Sequence, residues 1–200
     1  MTTVPQPEAL RTAIEPVLAE FSLILEDLSV RARSGQTELQ LVVDLPDDAL
    51  GAPDLDTVAD ASEAISSVLD EREDLLGEGP TVLEVTTPGL DRPLSDERRL
   101  RRARGRLVEL PEQSSHAGLR ARILDVASGQ VLLRSEPGRD DRGRPLKMPA
   151  GTPAHPILSV DEVAGARIVV EFDPPTDLED FLDRALVDAP ALPATAPKES

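Results

Sequence analysis

Cysteine is absent from the 200-residue chain, which excludes disulfides, thiolate catalysis and cysteine-ligated zinc and fits a reducing compartment. Tryptophan and tyrosine are absent too, and phenylalanine occurs three times, so any core must be built from Leu, Val, Ile and Ala. The same scarcity leaves few rings on which RNA bases could stack. No window approaches the roughly 18 consecutive apolar residues of a membrane span. The N-terminal MTTVPQPEALRTAIEPVL has no basic run followed by an apolar stretch, so it is not read as a secretory signal. A soluble, cytoplasmic chain with no membrane association is expected. The two histidines, His116 and His155, fall in expected loops. No Ser-His-Asp ordering, phosphate-cradling glycine loop or metal-ligand spacing accompanies them. No catalytic residue, metal or cofactor is therefore expected, and an enzyme is not.

Charge is plentiful but uneven. The net of −17 is concentrated in residues 1–91, with 20 acidic and 4 basic side chains. Residues 92–176 carry 12 acidic and 15 basic side chains, and residues 177–200 carry 6 and 2. The step near residue 92 suggests two domains. An acidic lobe suits either plain solubility or a cationic partner, and a basic segment suits phosphate.

Leu10, Ile14, Val17, Leu18 and Phe21 have helical spacing over 6–21, with Pro16 expected to kink or interrupt the helix. Residues 22–33 and 37–45 read as a hairpin around Ser34-Gly35-Gln36, with Leu39, Leu41 and Val43 on one face. Asp54 is an N-cap candidate for a helix whose stripe is Leu55, Val58, Ala59, Ser62, Ile65, Ser66 and Leu69. Residues 81–86 read as a third strand by β-branched content. The first unit is thus an α/β domain over 1–90, a three-stranded sheet with two helices on one face. Residues 91–104 read as a linker and basic segment. Short apolar runs at 106–110, 119–127, 130–135, 157–160 and 166–172 suggest a small β-barrel over 105–174, with 136–156 as a long internal loop. In the tail, 175–200, one short helix over Asp177–Leu186 is possible, and 189–200 are expected to be disordered. The fold class is α+β.

Residues 83–94 read Leu-Glu-Val-Thr-Thr-Pro-Gly-Leu-Asp-Arg-Pro-Leu. This stretch closely resembles the hallmark of the RimP family, which commonly has two serines where Thr86 and Thr87 stand. Val43-Asp44 after the hairpin, Ile65-Ser66 with Leu69-Asp70 at the helix end, and Ala166-Arg167-Ile168-Val169 with Glu171-Phe172 resemble the family as well. The similarity runs from about residue 8 to 173. Two departures are Ser22, where the family often has glycine, and Thr81, where it often has tyrosine. The resemblance implies an SH3-like (Sm-like) barrel as the second domain. It also implies a non-enzymatic ribosome maturation role in assembly of the small (30S) subunit, with 16S rRNA and small-subunit ribosomal protein twelve as partners on the immature particle. A monomer is expected.

Two sets of residues are candidate sites. Thr86, Thr87, Pro88, Gly89, Leu90, Asp91, Arg92 and Pro93 form a stiff connector in which Gly89 permits positive φ and the prolines fix φ nearby. It reads either as an interdomain hinge or as an RNA contact. Arg98, Arg99, Arg101, Arg102, Arg104 and Arg106 are the densest positive run of the chain. Guanidinium suits bidentate phosphate contact, making these the candidate rRNA-binding residues; the alternative is intramolecular pairing with the acidic lobe. Asp44, Asp47, Asp48, Asp54 and Asp56 lack the order of a calcium loop. Two other functions are compatible with parts of the sequence: a generic Sm-like RNA adaptor, and a hydrolase pairing Asp44 with Asp91, for which no positioned nucleophile is evident.

Overall fold

In the computed structural model the first helix, α1 (Pro7–Glu20), runs through Pro16 without a break. Pro16 lies on the exposed side, as does Thr12, whose carbonyl loses its amide partner; solvent can satisfy it there. The expected interruption is therefore absent. The structure describes residues 6–33, 36–76, 79–89, 92–140, 143–171 and 174–192. Helix α1 ends in a left-handed turn: Ser22 has φ of 56°, and the amide of Leu23 donates to the Leu18 carbonyl at 2.9 Å. Glycine would adopt this conformation without strain.

Strands β1 (Ile24–Arg33) and β2 (Gln36–Asp44) pair antiparallel, with a bulge between Leu25 and Asp27. Their expected turn at Ser34-Gly35 lies outside the described residues. Helix α2 (Leu55–Glu71) is capped by Asp54, whose carboxylate accepts from the Thr57 amide. It crosses over to β3 (Thr81–Thr86), which lies parallel to β2, giving the order β1-β2-β3. Leu39, Leu41 and Val43 are buried against Leu10, Ile14 and Leu18 of α1 and Val58, Ala61, Ile65 and Leu69 of α2. The α2 stripe differs from the expected one: Ala61 faces the core while Leu55 is 75% exposed. Leu55 opens the helix one turn before packing begins, so periodicity alone assigns it wrongly.

The second core is built on β4 (Leu107–Glu109), β5 (Arg120–Ala127), β6 (Gln130–Ser135), β7 (Ile157–Ser159) and β8 (Arg167–Ile168). They form an antiparallel sheet in the order β7-β6-β5-β4-β8. The positions match the expected strands, but β7 and β8 remain the two edges and do not pair with each other among the described residues, so the sheet is not closed. At three and two residues, the edge strands are too short to complete a ring. The β5–β6 hairpin turns on Ser128 and Gly129, both at positive φ, as in a type I′ two-residue connection.

Helix α3 (Glu97–Arg102) arises within the basic segment, and its Leu100 is buried with Val108, Ile123 and Leu133. Helix α4 (Val160–Val163) begins at a capping box of Ser159 and Glu162. Helix α5 (Leu178–Val187) starts at the N-cap Asp177 and buries Leu182 and Ala185 against Leu124 and Leu132. It thereby covers the other face of β5 and β6. The expected tail helix is present; residues 193–200 lie outside the described residues. The chain divides into two compact units, the first comprising 1–46 and 52–88 and the second comprising 47–51 and 89–200.

Candidate functional site

Helix α3 gathers most of the basic run. Asp96 caps it, accepting from the Arg99 amide at 3.0 Å. Burial would raise the Asp96 carboxyl, but the Arg99 amide, the Ser95 hydroxyl and the charges of Arg99 and Arg98 hold it below the usual range. The six arginines then separate by what each touches. Arg98 donates to Asp47 at 2.6 Å. Arg102 is 9% exposed and donates to the carbonyls of Ala49 and Gly51, the latter at 3.1 Å. Arg104 reaches the Asp48 carbonyl at 2.9 Å and the Arg101 carbonyl at 3.1 Å. Three arginines thus grip one segment of the second unit, Asp47–Gly51, largely through its backbone.

The remaining three look outward. Arg99 meets Ser95 and Asp96, and Arg101 meets Glu97 at 2.7 Å, all within one turn of their own helix. Arg106 is half-buried and makes no side-chain hydrogen bond or ion pair among the described residues. Such local surface pairs are worth about 0–1 kcal/mol, so a phosphate can displace them.

In the connector, Thr86, Thr87, Pro88, Gly89, Arg92 and Pro93 are described, whereas Leu90 and Asp91 lie outside the described residues. Gly89 is not in the left-handed region, and a Cβ added there would meet nothing within 4 Å. The freedom that Gly89 offers for positive φ is therefore not used, and the Arg92 amide donates to the Gly89 carbonyl at 3.2 Å. Immediately afterwards Leu94 bridges to Ala166 and enters the second core.

Arg122, the third residue of β5, carries no local sequence signal of a site. It is 4% exposed, yet it binds Glu136 at 2.7 Å, Glu171 at 2.5 Å and the Gly105 carbonyl at 2.8 Å. Arg134 joins through Glu136 at 2.8 Å, and both guanidinium groups lie against the Phe181 ring, 5.3 and 4.7 Å from its centroid. Burial would lower the Arg122 pKa and raise that of Glu136. Their mutual hydrogen bonds outweigh this, leaving Arg122 above and Glu136 below their ordinary values. The cluster pairs two cations with two anions, as burial demands. Gly105 contributes from a positive φ, with Leu178 only 2.7 Å from where a Cβ would stand. Glu136 and Glu171 lie 14 and 49 residues from Arg122 in sequence, so nothing local signals the cluster.

Between α5 and β6 lies a solvent-open cleft of about 540 Å³, lined by Arg134, His155, Asp177, Asp180, Phe181 and Arg184 among others. Among the described residues no three His, Asp or Glu side chains are grouped to hold a metal ion, and no helix is long and apolar enough to cross a membrane.

With this geometry, similarity to known proteins can be weighed. Residues 13–91 match the model of the RimP N-terminal domain. The ribosome maturation factor RimP of Kineococcus radiotolerans is 38% identical over 181 residues, covering 88% of this chain and 85% of that protein. The chain belongs to the RimP family. The RimP of Frankia casuarinae, also named a ribosome maturation factor, is 37% identical over 194 residues, or 93% of this chain and 66% of that one. Kinship with RimP thus extends over both units, supporting a role in ribosome maturation.

Proposed function

We propose that this RimP-family chain acts in the cytoplasm, as a monomer and without catalysis, in assembly of the small (30S) ribosomal subunit. It binds 16S rRNA and small-subunit ribosomal protein twelve on the immature particle and favours one rRNA–protein arrangement by its differential affinity for it. The observation that carries this reading is near-full-length kinship with proteins named ribosome maturation factors. Five short antiparallel strands, with a bulge between Ile123 and Asp125, support reading the second unit as SH3-like. Within this reading Thr86–Pro93 is the connector that lets both units engage one particle.

The rRNA contact falls to the arginines whose bonds are local or absent: Arg99, Arg101 and Arg106. Arg98, Arg102 and Arg104 hold Asp47–Gly51 and would be costly to withdraw. The test is binding of the triple variant R99E/R101E/R106E to immature small subunits across salt concentrations. Each phosphate contact contributes a log–log slope of roughly −0.7 to −0.9, so the slope should flatten by about two to three. Unchanged affinity and slope would remove these residues from the interface.

A further inference from the structure

The two edges of the first sheet are built differently. The outer edge of β1 carries a bulge between Leu25 and Asp27 and an exposed Arg31, both devices that discourage another strand from pairing. Strand β3 has no bulge, and its one charged residue, Glu84, is anionic. Its six residues keep unbroken register with β2 from Thr81 to Thr86, contain no proline, lysine or arginine, and among the described residues pair on one side only. On the sheet face away from the helices, Val82 is 48% exposed and Glu84 is exposed, with Glu38 and Gln40 beside them on β2. Gln40 donates to Glu84 at 3.4 Å, the one side-chain hydrogen bond of that carboxylate among the described residues. On the opposite face Leu83 and Val85 are only partly buried. The unit that owns this edge, residues 1–46 and 52–88, carries 17 acidic and 4 basic side chains.

We infer that the outer edge of β3 captures an extended, lysine- and arginine-rich protein segment by strand addition. Backbone hydrogen bonds supply the pairing, and the period of two sets the recognition. Alternate residues of the added strand lie beside Val82 and Glu84, where cationic side chains meet Glu84 and Glu38. The intervening residues lie beside Leu83 and Val85, where apolar side chains extend the core. The acidity of the whole unit draws such a segment in and discourages an acidic one or a nucleic acid. This deepens the role proposed above and rests on it for biological meaning.

The test uses the full chain and a nine-residue synthetic peptide alternating lysine with valine. Amide hydrogen exchange at saturating peptide should slow across Thr81–Thr86 and not along β1. V82K/E84K, two exposed substitutions, should weaken binding about tenfold or more without altering circular dichroism or the thermal midpoint. A peptide of equal charge with proline at alternate positions, which cannot complete the ladder, should fail to protect β3. No slowing at β3, equal binding by V82K/E84K, or equal binding of the proline peptide would each overturn the assignment. No ribosomal particle enters this assay, so its failure leaves the assembly role standing, whereas a failure to bind small subunits tells against that role alone.

Discussion

The first unit handles its charge by keeping it outside, and the second by burying and pairing it. In the first, Leu10, Ile14, Leu39, Leu41 and Ile65 make an aliphatic core, and nearly all the acidic side chains remain at the surface. In the second, Arg102 and Arg122 are drawn inside and satisfied by carbonyls and carboxylates. The difference teaches that a basic run is not by itself a phosphate site: part of it holds the fold together.

The contrast can be broken most forcefully at Arg122. Arg122→Ala leaves Glu136 and Glu171 partly buried without their shared cation and should cost about 3–5 kcal/mol, read as a lower denaturant midpoint of the second unit. Next is Arg102→Ala, which strips the Ala49 and Gly51 carbonyls of a charged donor. A loss of about 1.5–3 kcal/mol is expected. The outward-facing Arg101→Ala should change stability by about 0–1 kcal/mol. If Arg101 proves as costly as Arg102, the division of the run into clamp and contact residues is wrong.

Ser22→Gly sharpens the comparison from the other side. It relieves a left-handed serine at the end of α1 and should stabilise the first unit by about 1 kcal/mol, with no effect on the second. The smallest expected effect is a pH dependence of the second unit. Glu136 is held below its ordinary pKa when folded, so its stabilising contribution is complete above the usual glutamate range and is lost as pH falls through the folded value. Glu136→Gln should flatten that acid limb, while the first unit shows no matching change.

How much of this was legible in the sequence varies with the kind of order involved. Alternation at Leu39, Leu41 and Val43 gave the buried face of β2 because one side of that sheet is covered and the other is open. The strands at 107–109, 120–127 and 130–135 were legible for a different reason, as apolar runs of strand length, since β5 and β6 are covered on both faces. Arg122 was not found, because alternation places it on the face opposite Ala121 and Ile123, which reads as solvent until Phe181 and α5 cover it. The basic run was visible as charge, but its division was not. Which arginines turn inward depends on Asp47–Gly51, some fifty residues upstream, a contact that no local pattern encodes. Closure of the expected barrel was likewise beyond periodicity, since it depends on whether two edge strands are long enough to meet.

The most direct measurement is the sedimentation of this protein in a cell lysate resolved on a density gradient, followed with an antibody. The account predicts that it travels with free small subunits and their precursors, and leaves them when salt is raised. Migration with translating ribosomes, or only at the position of the unbound monomer at low salt, would contradict it.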